Sequence, residues 1–170
     1  MRQIRRLAAL AVLCLALSAC FMSRTPLIPP DEAAFPFEHL TLKGADDDIQ
    51  EIVRAGDAYR FGPPDEAGRY ALLRLVPAGD DGYVVALWPP DEADADETGV
   101  LYGFLVVDRA AGVIASYAAT KPRDFTPLPG LAACESHVCV EDLDAYAAYA
   151  RGRIAAGAAP DQTYRIVSIR

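Results

Sequence analysis

The chain has 170 residues, 24 acidic against 16 basic, for a formal net charge of −8 and a sequence pI of about 4.7. That length suits one domain rather than several, and 52% hydrophobic residues are enough to bury a core at this size. The acidity argues against electrostatic docking on nucleic acid or on anionic lipid head groups.

The first nineteen residues differ from the rest. Arg2, Arg5 and Arg6 precede an apolar run from residue 7 to 19, and Ser18 and Ala19 stand directly before Cys20. A charged start, a short apolar core and a small-residue cleavage site have the pattern of a secretory signal peptide. The run is too short to span a bilayer, which takes about 20 apolar residues. Leu17-Ser18-Ala19-Cys20 resembles the lipobox of bacterial lipoproteins. The resemblance implies cleavage before Cys20, a diacylglyceryl group on its sulfur and an anchor in the membrane, facing the periplasm. Under the sorting rule of such proteins, Phe21 in the following position points to the outer rather than the inner membrane. It implies no activity. Losing the leader takes the 16 basic residues to 13 against 24 acidic ones, a net charge of −11.

Residues 21–38 hold four prolines and no sustained period, which predicts an extended tether. Phe35 and Phe37 are expected where the chain first meets its core. A short strand is expected at 39–42. Ile49, Ile52 and Val53 fall on one helical face, with Asp47 as cap and Gln50 three residues on, which predicts a short helix. After it come branched and aromatic runs at 70–76, 83–88, 100–108 and 113–117, and a last one at 164–169. Short turns between successive runs favour antiparallel pairing. Residues 140–156 read as the one strong helix, with Leu143, Tyr146, Ala147, Ala150 and Ile154 at helical spacing. The expected fold is therefore α+β. A meander-like antiparallel sheet of five or six strands packs against one C-terminal helix, as a single domain over 39–170.

The hairpin of runs 83–88 and 100–108 is apolar on both faces, so both want cover. The helix supplies one cover. The other face is covered either by the N-terminal segment or by the sheet curling on itself, or else it meets an apolar ligand inside a curled sheet or a partner, with Tyr83, Trp88, Tyr102 and Phe104 as candidate contacts.

Among the cysteines, Cys14 goes with the leader and Cys20 is the lipid site. Cys134 and Cys139 remain as a pair expected to form a disulfide in an oxidising compartment. His137 between them would make only a three-ligand metal set, short of the usual four, so no metal site and no cofactor is expected. Pro-Pro-Asp-Glu-Ala recurs at 29–33, 63–67 and 89–93 without a fixed period, and reads as loop chemistry. Residues 94–99 start like a calcium loop, but Leu105 stands where its bidentate glutamate belongs. No nucleophile elbow, zinc-protease, P-loop or dinucleotide signature is found. The sequence thus leans away from an enzyme. It points to a structural or protein-interaction module anchored in the cell envelope, with binding of a small apolar ligand as the alternative.

Overall fold

The computed structural model describes residues 20–62, 64, 68–89, 99–117, 120–122 and 125–170. The leader, most of the second and third Pro-Pro-Asp-Glu-Ala segments and all of loop 94–99 but Gly99 lie outside them. The described residues form eleven strands and one helix. They are β1 (Phe21–Ser23), β2 (His39–Lys43), β3 (Ile49–Ala55), β4 (Ala58–Phe61), β5 (Ala71–Pro77), β6 (Gly82–Trp88), β7 (Val100–Asp108), β8 (Val113–Tyr117), β9 (Leu131–Ala133), β10 (Val138–Val140), α1 (Leu143–Ala155) and β11 (Gln162–Ile169).

The expected open α+β sheet is wrong. Strands β2 to β8 follow one another as antiparallel neighbours, β11 joins β8 to β2, and β6 also pairs with β7. The result is a closed, eight-stranded, up-and-down barrel, which leaves no edge along its circuit. Strands β1, β10 and β9 extend the sheet outward from β7.

Two local differences from expectation make closure possible. Residues 49–55 are strand, not helix. Only Ile52 of the three apolar residues there is buried, while Ile49 is 55% exposed. Their β-branched side chains suit a strand, and pairing with β2 (Leu40↔Ile52) supplies hydrogen bonds that a six-residue helix lacks. Asp47 is then a turn residue at φ 62°. The second difference is the two-residue link between β3 and β4, where Gly56 takes φ 69°. A first turn residue with positive φ fits the II′ geometry that matches strand twist.

Alternation divides the barrel's side chains between two cores. Leu40, Leu42, Ile52, Tyr59, Leu73, Leu75 and Ile114 are buried inside it. Val84, Ala86, Trp88, Val100, Tyr102 and Phe104 face the opposite way and pack beneath α1 with Tyr146, Ala147 and Ala150. The helix is capped by Asp142, whose Oδ1 accepts from Ala145 N–H at 2.9 Å. It stops at Gly157, φ 83°, where Ala158 N–H reaches Arg153 C=O and Gly157 N–H reaches Ile154 C=O. That pair of bonds is the Schellman stop.

Residues 21–38, expected as a tether, lie against the domain. Phe21 and Ile28 are wholly buried, and β1 pairs with β7 and, in parallel, with β10. Phe35 and Phe37 do meet the core, with ring centroids 5.4 and 4.6 Å from Tyr59. Phe21 and Ile28 meet it first. Proline's fixed φ suits an extended chain laid on a sheet as well as one lifted off it.

Cys134 and Cys139 are joined, with Cα atoms 5.8 Å apart, across the turn between β9 and β10. The bridge therefore sits just ahead of the helix.

Candidate ligand cavity

Alternate residues of a strand point to one face, and in a closed barrel that face is the interior. An eight-stranded barrel is just wide enough to be filled by side chains or to hold one small ligand. Here most of the inward set is aliphatic, Leu40 and Leu42 from β2, Leu73 and Leu75 from β5, Val85 and Leu87 from β6, Leu101, Leu105 and Val107 from β7, and Ile114 from β8, with the rings of Phe37 and Phe61 beside them. These leave a cavity of about 240 Å³.

Gly103 stands in the inward series of β7 between Leu101 and Leu105. An added Cβ there would lie 3.1 Å from Val85 Cγ1. The glycine therefore removes a side chain from the middle of the wall. The same residue marks a seam. One edge of β7 is held by β6 along Leu101 to Val106. Its other edge is shared, with β1 on Val100 to Tyr102 and β8 on Phe104 to Asp108. The β1 register, Phe21↔Tyr102, continues to place Cys20 beside Gly103. Cys20 also bridges to Thr120 and is part of the cavity lining.

The polar lining is small: Gln50, Ser116, Arg109 and the phenols of Tyr83 and Tyr164. Gln50 Nε2 donates to Asp48 Oδ2 at 2.8 Å, and the Tyr164 hydroxyl donates to Gln162 Oε1. Burial, and then the negative charge of Asp48, push the Tyr164 phenol above its ordinary pKa. Among the described residues no Asp, Glu or His lines the cavity. In a chain this acidic, such a lining suits a ligand that is apolar for most of its length.

Of the four candidate contacts read from the sequence, Tyr83 faces the cavity. Trp88 and Phe104 belong to the outer core under α1. Tyr102 borders the cavity through its strand and sends its ring outward. Its centroid lies 6.0 Å from that of Tyr146, and its hydroxyl accepts Leu27 N–H at 3.0 Å and bonds Ser23 Oγ at 2.9 Å. Burial raises the phenol pKa of both Tyr102 and Tyr146. The aliphatic wall escaped sequence reasoning, although Leu40/Leu42 and Leu73/Leu75 already show its period of two.

The hollow between α1 and the β5–β6 turn is larger, about 500 Å³, but its lining carries the charges of Glu32, Glu141, Asp142, Asp144 and Arg151. His137 Nε2 lies 3.4 Å from Cys139 Sγ, but the disulfide already engages both sulfurs of that cluster. Among the described residues no helix is long and apolar enough to cross a membrane.

Fold and cavity together define a closed up-and-down barrel with an aliphatic interior. No family model matches the chain, and no curated protein or solved structure does either.

Proposed function

We propose that this protein is an envelope lipoprotein, anchored through Cys20, whose barrel binds one small apolar ligand. The observation that carries the binding half is the cavity of about 240 Å³ with its aliphatic wall. A closed apolar cavity of about 150 Å³ accepts benzene, so at equal packing this one takes about ten heavy atoms. That is a short alkyl chain or a single ring system. The anchor half rests on Leu17-Ser18-Ala19-Cys20. The expectation of a pure interaction module has less behind it, because the second apolar face of the β6–β7 hairpin is turned into the barrel and not towards a partner.

The test uses the Cys20→Ser chain, which is secreted without lipid, and ¹³C-labelled 1-octanol followed by NMR. Binding of one alcohol per chain, with shifts in Val85, Leu87 and Leu105 methyls, is expected. No binding up to the solubility limit of octanol refutes the cavity as a ligand site.

A further inference from the structure

Cys20 is both the residue marked for lipid and a part of the cavity wall. It shares a face with Leu101 and Gly103, since Met22 pairs with Leu101 and side chains alternate along β1. Its position is held from several sides. Val138 N–H donates to Cys20 C=O at 2.9 Å, Thr120 bridges it, and the next residue, Phe21, is wholly buried. Phe21 also packs on Phe125, Tyr146 and Tyr149 at centroid distances of 5.9, 5.2 and 5.3 Å. A cysteine pinned in this way has no tether between its sulfur and the domain. Whatever is attached to Sγ starts at the seam, beside Gly103, an inward position without a side chain.

We propose that the occupant of the barrel is an alkyl chain carried by Cys20 of the same molecule. The proposal rests on the reading of the barrel as an apolar-ligand site and on acylation of Cys20. In that acylation the Sγ–C bond to the glycerol of a phospholipid forms and the glycerol C–O bond to the head group breaks. The thiol proton leaves with the head-group phosphate. A space for about ten heavy atoms takes roughly half of an ordinary fatty chain, and the remainder lies along the seam. Each methylene so buried is worth ~0.8 kcal/mol whether it enters protein or bilayer. The barrel therefore competes with the membrane for one chain of the anchor, and a single chain holds a membrane only marginally. The other chain of the diacylglyceryl group stays available to the bilayer. Such a protein carries a self-shielded lipid, which the membrane can draw out.

The test grows cells that acylate the full chain on a fatty acid bearing a diazirine about halfway along. Extracted protein is irradiated, digested and sequenced by mass. Crosslinks from Cys20 lipid to the β6 and β7 peptides are expected, and Val85→Phe, which takes up part of the cavity beside Gly103, should cut their yield at least five-fold. Crosslinks only to surrounding phospholipid or detergent overturn the proposal, as does a mature chain with no acyl group on Cys20. The octanol measurement on Cys20→Ser separates the two readings. If octanol binds and the crosslinks are absent, the barrel binds some other apolar ligand. If octanol fails to bind, both readings fall. Cys20→Ala serves the same comparison where serine impairs folding.

Discussion

A closed pocket and an apolar surface groove respond differently to ligand length, and the barrel makes a sharp statement about where the difference falls. In a series of n-alkanols offered to the Cys20→Ser chain, every methylene that enters the cavity contributes ~0.8 kcal/mol, close to four-fold in affinity. From four carbons to nine the gain is about 4 kcal/mol, or roughly a thousand-fold. The cavity of about 240 Å³ is then full, since it takes about ten heavy atoms at the packing of a known benzene site. Beyond nine or ten carbons the affinity should level off, because further methylenes stay in water. Val85→Phe adds aromatic volume to the wall opposite Gly103 and should move the break to chains shorter by about four carbons. Isothermal titration across the series, with and without the substitution, reads both. An affinity that keeps climbing through fourteen carbons, or a break that Val85→Phe leaves in place, would refute an enclosed site inside the barrel.

Three further outcomes follow from the packing. Arg74 is 5% exposed and donates to Asp57 Oδ2, Asp57 C=O and Ile28 C=O, with its guanidinium 5.1 Å from the Trp88 ring centroid. Arg74→Met should cost about 2–3 kcal/mol in urea unfolding. Arg74→Lys should recover only part of that, because one ammonium cannot reproduce the planar fork; a lysine variant as stable as the parent would count against the network. Replacing Cys134 and Cys139 by serine should cost about 2 kcal/mol in the chain-entropy model, and reductant should then have no further effect on the variant. In alkali, Tyr59 is the group to follow: burial first of all pushes its pKa up to about 12 from 10.0, and its hydroxyl donates to Phe37 C=O. A phenol neutral in the folded state to a higher pH than in the unfolded one gives stability that is complete below pH 10. That stability is lost as pH rises through 12. Thermal unfolding between pH 9 and 12 should show this fall, with a shallower slope in Tyr59→Phe; equal slopes would mean that Tyr59 does not contribute.

Strands β5 to β8, β2, β11 and the helix were legible in the sequence because each carries its own local signal. Val113 to Tyr117 and Val100 to Asp108 are dense in branched and aromatic residues, and Asp142 and Gly157 frame the helix. The β3 segment was not legible. Ile49, Ile52 and Val53 satisfy a helical period as well as β-branched preference, and only the strand-to-strand pairing with Leu40 decides between them. Closure was invisible for a similar reason. It depends on Tyr164 to Ile166 lying between Ile114 on one side and Leu42 on the other, pairings of large sequence separation that no local pattern encodes. Among the candidate contacts, Tyr83 and Trp88 were both visible as aromatic strand residues. Parity puts them on opposite faces, and only the placement of α1 says which face is the interior. Cys20 stood out in sequence as a lipid site. Its place in the barrel wall is set by Phe21, whose burial under α1 needs the folded structure to be seen.

The inside of the barrel also bears on why a cavity is there at all. Losing packing in a core costs about 24 cal/mol for each Å³ left unfilled, so side chains occupying about 240 Å³ would add about 6 kcal/mol. That is comparable to the entire stability of many domains, about 5–15 kcal/mol. The outer core shows that this chain can pack densely: Tyr102, Phe104, Trp88 and Tyr146 are each no more than 2% exposed. Inside, the bulk runs the other way. β7 alternates Leu101, Gly103 and Leu105 where a third large residue would close the gap, and Val85 faces the glycine. Alanine at 103 would already press on its β6 partner Val85 at 3.1 Å, so the wall is thin where these two paired residues sit side by side. A wall kept thin at its middle, with most of the rest of the lining apolar, is what a resident alkyl chain requires. The same chain, by entering, would return the packing that the side chains forgo.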